Sequence, residues 1–165
     1  MGLFDFIKEA GSKIMGTDEA PEPQSQTTSY SPEEIQKIND RRRAMALANT
    51  IETLGFEIED LGIRVDDDLA TVSGRVSDQA TKERIVLALG NTAGIGRVDD
   101  QIEVEAAEPE AQFHTVESGD TLSGIAQKYY GNAMKYPVIF EANKPMLSDP
   151  DKIYPGQVLR IPPLD

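Results

Sequence analysis

Near the start of the chain, apolar residues recur at helical spacing. Leu3, Phe6, Ile7, Ala10 and Ile14 fall on one face of an amphipathic helix over residues 3–14. So short a helix needs a surface to lie on. The expected surface is the protein's own body, because the segment lacks the basic polar face of a membrane-lying helix. Residues 16–30 are rich in Pro, Gln, Ser, Thr and Glu with almost nothing to bury, the composition of a flexible tether. Ser31-Pro32-Glu33-Glu34 then opens a helix, with Ser as N-cap, Pro in the first turn and Glu34 placed for a capping box. Ile35, Ile38, Met45, Ala48, Ile51 and Leu54 continue its apolar pattern until Gly55 closes it.

The period then changes. Residues 61–65 and 69–76 alternate apolar with polar, as half-buried strands do, and Asp66-Asp67-Asp68 joins them as a hairpin turn. The carboxylate run lacks the glycine and the distal Glu of a calcium loop. Ser77 or Asp78 caps a second helix with Ile85, Val86 and Leu89 inward, and residues 98–104 return as a strand. Helix–strand–strand–helix–strand predicts an α+β layer with the helices on one face of a small sheet. Residues 106–111 are too polar for a core and read as a second linker. Beyond them the spacing predicts a strand at 113–116 and a helix over 121–130, capped by Asp120 and stopped by Gly131. A late-starting helix past Pro137 follows, ending near Asn143, and then a strand at 158–161. Each unit is small, so docking of one on the other helps both.

Between the second helix and its strand, Leu89-Gly90-Asn91-Thr92-Ala93-Gly94-Ile95-Gly96-Arg97-Val98 carries three glycines in seven positions and no carboxylate. On these residues alone the turn reads first as an ordinary glycine-rich helix stop. Glycine also permits positive φ, which lets peptide carbonyls fold inward. A concave set of neutral carbonyl oxygens suits a large, weakly hydrated monovalent cation, whereas calcium and magnesium want carboxylates.

Composition narrows the function classes. Among 165 residues there is no cysteine, which removes disulfides and cysteine zinc sites. With 29 acidic against 16 basic residues the net charge is −13, which disfavours nucleic acid and anionic lipid. No apolar run reaches membrane-span length. Asp5, Lys8 and Glu9 break any secretory core, and Phe6 stands where a myristoylation motif wants Ser or Thr, so a cytoplasmic location is expected. Arg41-Arg42-Arg43 reads as a solvated helix face. His114 is the only histidine and reads as a surface or interface residue. With no Ser/His/Asp set, phosphate loop or zinc pattern, no catalysis is expected.

Two resemblances then emerge. Val72-Ser73-Gly74-Arg75-Val76, with Gly94-Ile95 ahead of Val98, resembles a BON domain. Val116-Glu117-Ser118-Gly119-Asp120-Thr121-Leu122-Ser123, Ile125-Ala126, Tyr130-Gly131, Asn143 and Tyr154-Pro155-Gly156-Gln157-Val158-Leu159 resemble a LysM domain. Together with Met1-Gly2-Leu3-Phe4 and Phe140-Glu141-Ala142-Asn143-Lys144-Pro145-Met146-Leu147, the whole chain resembles a family of bacterial cytoplasmic potassium-binding proteins. The resemblance implies an α+β fold with a BON-type αββαβ domain, a βααβ LysM domain and an N-terminal amphipathic helix. The parts are 1–15 helix, 16–30 linker, 31–106 BON with its leading helix, 107–111 linker and 112–165 LysM. It further implies a monomeric potassium sensor or buffer that compacts on binding. Backbone carbonyls of Ile7, Ala10, Gly90, Thr92, Ile95 and Val98 would be the donors. Two departures stand out: the tether and first helix look long, and Thr92 replaces an aliphatic residue. LysM relatives that bind N-acetylglucosamine polymers imply an alternative, a groove at Gly119, Asp120, Thr121, Leu122, Lys152, Ile153, Tyr154 and Pro155.

Overall fold

A computed structural model describes residues 2–5, 30–106 and 108–164. Helix α1 (Pro32–Thr53) starts as its sequence dictates. The Ser31 hydroxyl accepts from the Glu34 N–H at 3.3 Å, and the Glu34 carboxylate accepts from the Ser31 N–H at 2.8 Å. Its buried apolar residues are Leu47 and Ile51, whereas Ile35, Ile38 and Met45 are exposed. A helix of 22 residues is about 33 Å long, and its first turns run past the core. The anticipated stripe is buried only toward its end.

Strands β2 (Glu59–Asp66) and β3 (Leu69–Asp78) form the anticipated hairpin, with Asp67 at φ 54° in its turn. Asp78 caps α2 (Gln79–Gly90), its carboxylate accepting from the Thr81 N–H at 2.8 Å. Strand β4 (Arg97–Ala106) then runs parallel to β3, Val72 lying opposite Asp100. Leu47 and Ile51 of α1 and Ile85, Val86 and Leu89 of α2 share one core with Val65, Val72, Val98 and Ile102 of the sheet.

One element overturns the sequence reading. Gly2–Asp5 is strand β1, antiparallel to β4 with Phe4 opposite Val98, and not the start of a helix. The sheet order is therefore β1-β4-β3-β2. Without β1, β4 would present an open edge of unpaired peptide groups. Two-residue alternation also serves the side chains here. Phe4 packs on the core while Leu3, 61% exposed, faces out. The rest of the anticipated helix, with Phe6, Ile7, Ala10 and Ile14, lies outside the described residues.

Strand β5 (Gln112–Thr115) pairs antiparallel with β6 (Val158–Ile161). Helix α3 (Leu122–Tyr130) is capped by Thr121 rather than Asp120, and Gly131 ends it at φ 69°. After a 3₁₀ turn (Ala133–Lys135), α4 (Tyr136–Ala142) starts late, with Pro137 in its first turn. Val116, Leu122, Ile125, Ile139, Leu147, Leu159 and Ile161 make a second core. Among the described residues, no helix is long and apolar enough to cross a membrane.

The two cores meet along α2. Phe113 and Met146 pack against the first core, and the Phe4 and Phe113 rings lie 5.3 Å apart. Glu83 pairs with Arg160 at 3.2 Å and accepts from the Ala111 N–H at 3.0 Å. Burial pushes the Glu83 carboxyl above its ordinary value, against the pull of these partners. Arg84 donates to the carbonyls of Ala142 at 3.2 Å and Glu141 at 3.3 Å.

Candidate functional site

The turn from α2 into β4 is built almost wholly from backbone. The Asn91 N–H donates to Leu87 O at 2.9 Å and the Thr92 N–H to Leu89 O at 3.2 Å, closing the helix. The Ile95 N–H then reaches Thr92 O at 3.2 Å, across Gly94 at φ +85°. The N–H groups of Gly96 and Arg97 converge on Asp68 O at 2.9 and 3.0 Å, tying the turn to the β2–β3 hairpin.

Both polar side chains of the turn are committed elsewhere. The Thr92 hydroxyl donates back to Ala88 O at 2.8 Å. The Asn91 amide donates to Val158 O at 2.9 Å and accepts from the Val158 N–H at 3.0 Å. What remains for a ligand is peptide oxygen. Gly90 and Ile95 are buried, and among the described residues no hydrogen bond reaches either carbonyl. Buried carbonyls rarely stay without partners. Thr92 O carries one long bond and keeps a second lone pair. All three are neutral peptide oxygens, which offer nothing to a cation that demands carboxylates.

Of the anticipated donors, Gly90 ends α2, and Thr92 and Ile95 stand in the turn that follows it. Val98 lies on β4 between Phe4 and Ala70. Ile7 and Ala10 lie outside the described residues. Among the described residues, no group of His, Asp and Glu is placed to hold a metal ion.

Sequence reasoning missed two residues. Arg41 and Arg42 are exposed as anticipated, but Arg43 is not part of a solvated face. Its guanidinium donates to Gly94 O at 2.7 Å and to Asp67 O, with Asp40 at 3.6 Å. Guanidinium reaches two carbonyls at once because its donors are forked and planar. Nothing in a run of three arginines marks which one the fold will claim. Asn91, which joins the turn to β6, likewise has no local signature, since its partner lies 67 positions along the chain.

His114 is a second correction. It is buried, with Nε2 2.9 Å from the Asp120 carboxylate and Nδ1 3.0 Å from the Tyr129 hydroxyl. Its strand pairs with β6, and Tyr129 of α3 packs edge-on against its ring. Asp120 also accepts from the Glu117 N–H at 2.9 Å. That bond first, and His114 second, hold its carboxyl below the ordinary range. Of the remaining groove residues, Leu122 and Tyr154 are buried, and Thr121 spends its hydroxyl on the Gly124 N–H at 3.0 Å. None of the residues anticipated for that groove lines the open cleft of about 350 Å³ formed by Glu110, Gln112, Tyr129, Tyr130 and 161–164.

Fold and turn together define a two-domain protein of known modules. The BON domain family matches residues 39–106 and the LysM domain family residues 114–162. The potassium binding protein Kbp of Escherichia coli is 41% identical over 162 residues, covering 98% of this chain and 99% of its own. The chain belongs to the Kbp family. Shorter likenesses include an uncharacterized protein of Deinococcus radiodurans, 53% identical over 49 residues (30% of this chain, 19% of that protein). Esterase Rv1288 of Mycobacterium tuberculosis is 45% identical over 53 residues, 32% of this chain but 11% of the esterase.

Proposed function

We propose that this chain binds potassium at the α2–β4 turn through peptide oxygens of Gly90, Thr92, Ile95 and Val98, completed by Ile7 and Ala10. One observation carries the reading. The Asn91 and Thr92 side chains are committed to Val158 and Ala88, while Gly90 and Ile95 are buried residues whose carbonyls take no hydrogen bond among the described residues. Kinship to a protein named for potassium binding, along nearly its whole length, supports the same ion. In this reading 31–106 and 112–165 are two units joined at 107–111, and potassium draws them into the docked arrangement. The chain acts as a monomeric cytoplasmic sensor or buffer and turns over no substrate. Mass action supplies the work: ion at 100 times its dissociation constant favours the bound form by about 2.7 kcal/mol.

Calorimetry on desalted protein tests this. Heat of binding is expected on adding KCl and little on adding NaCl. Equal responses remove the selectivity, and no response to either removes the site. Glycan binding by the LysM half is the second reading, favoured by the match at 114–162. Chitin oligomers titrated into the same protein test it, with no heat expected.

A further inference from the structure

We infer that Asn91 is the positioning residue through which an ion in the turn sets the docking of the two halves. The inference rests on the potassium reading above and deepens it. Asn91 sits between Gly90 and Thr92, two of the proposed donors. Its backbone, at φ −82° and ψ 4°, lies in the sparsely allowed bridge region, so the direction of its Cβ depends on how the flanking peptides are held. An ion fixing the Gly90 and Thr92 oxygens fixes those peptides.

From that backbone the side chain, 7% exposed, satisfies both the N–H and the C=O of Val158. The amide thus acts as a strand partner to the first residue of β6. It is well suited to transmit a small rotation, because both bonds are lost together if Cβ swings.

The other polar links across the junction differ in where they start. Glu83 and Arg84 reach Arg160, Ala111, Ala142 and Glu141 from inside α2, about two turns before its end. A helix interior keeps its shape whether or not the turn is occupied. Among the described residues, Asn91 alone hydrogen-bonds the turn itself to the second half.

By linkage, an ion that favours docking must be bound more tightly by the docked form in the same proportion. The experiment therefore reads docking with and without potassium. Amide exchange at Ala111, whose N–H bonds Glu83 across the junction, reports docking without touching the turn. It is measured for the wild type, Asn91→Ala and Arg84→Ala in KCl or choline chloride at equal ionic strength. Calorimetry with KCl runs in parallel.

In the wild type, potassium is expected to slow exchange by about 5–150-fold. Arg84→Ala, which weakens the junction only, exchanges faster overall but keeps that ratio within about twofold. Asn91→Ala still takes up potassium, more weakly, while its ratio falls close to one. If Asn91→Ala keeps the wild-type ratio, the inference is overturned. Complete loss of potassium uptake in Asn91→Ala overturns it too, by making Asn91 part of the ion site. Potassium heat in the wild type without slower exchange removes the inference and the docking step of the reading, and leaves ion binding standing. Absence of both in the wild type removes the potassium reading as well.

Discussion

Gly94 is held at φ +85°, and a Cβ built on it meets Arg43 Nη2 at 3.0 Å. A β-branched residue there adds backbone strain of about 1–3 kcal/mol. It also displaces the guanidinium that clamps the turn to α1 and the hairpin. Gly94→Val is therefore expected to weaken potassium binding tenfold or more by calorimetry, about 1.4 kcal/mol per tenfold. Thr92→Ala removes only the hydroxyl bond to Ala88 O, costing about 1 kcal/mol of stability while leaving affinity within about twofold. Comparable losses in affinity would point to side-chain ligation. Tyr154 offers a different test, because its hydroxyl is buried with no hydrogen-bond partner among the described residues, and burial pushes it up to about 12. Removing an unsatisfied buried polar group is neutral or favourable, so Tyr154→Phe should raise stability by up to about 1 kcal/mol in urea. A clear loss would reveal a partner for the hydroxyl. At this scale the chain was legible where a residue's role is local: the Gly94 conformation, the Ser31 cap, the Gly131 stop. It was not legible for Arg43, Asn91 or His114, whose roles are fixed by carbonyls and carboxylates that only the fold brings near.

Periodicity with capping and turn residues located the α-helices and strands from α1 onward, but not the 3₁₀ turn at Ala133–Lys135. It failed at β1, where four residues satisfy a helical and an alternating pattern alike and the open edge of β4 decides. It also assigned α1 an inward stripe that includes Ile35, Ile38 and Met45, since spacing does not say where the sheet stops. The N-terminal segment carries the first element-scale prediction. Deleting residues 1–15 removes Ile7 and Ala10 and strips β1 from β4, so potassium binding should vanish while the LysM fold persists by NMR. Unchanged affinity would mean that the turn supplies every donor. The β5–α3 corner carries the second. Because Asp120 has its carboxyl lowered in the fold, its contribution to stability is present above its ordinary value of 3.8 and is lost as pH falls through the lowered one. Asp120→Asn should lower the urea midpoint at pH 7, and the gap to wild type should close on acidification below that range. A gap independent of pH would assign the effect to packing instead.

For the whole molecule, the two small cores become one body along α2, with an aromatic contact at Phe4 and Phe113, a buried Glu83–Arg160 pair and the Asn91 bridge. That docking was anticipated only as a need of small cores. Its chemistry was not, because residues 83, 84 and 91 meet partners that stand in a different unit of the chain. A net charge of −13 draws cations toward the surface without choosing among them, so the proposed function assigns selectivity to the turn. The most direct measurement is long-wavelength anomalous diffraction from crystals grown in KCl, where potassium itself scatters. A peak is expected in contact with the peptide oxygens of Gly90, Thr92 and Ile95. A peak among carboxylates, or a turn filled by water in saturating potassium, would contradict it.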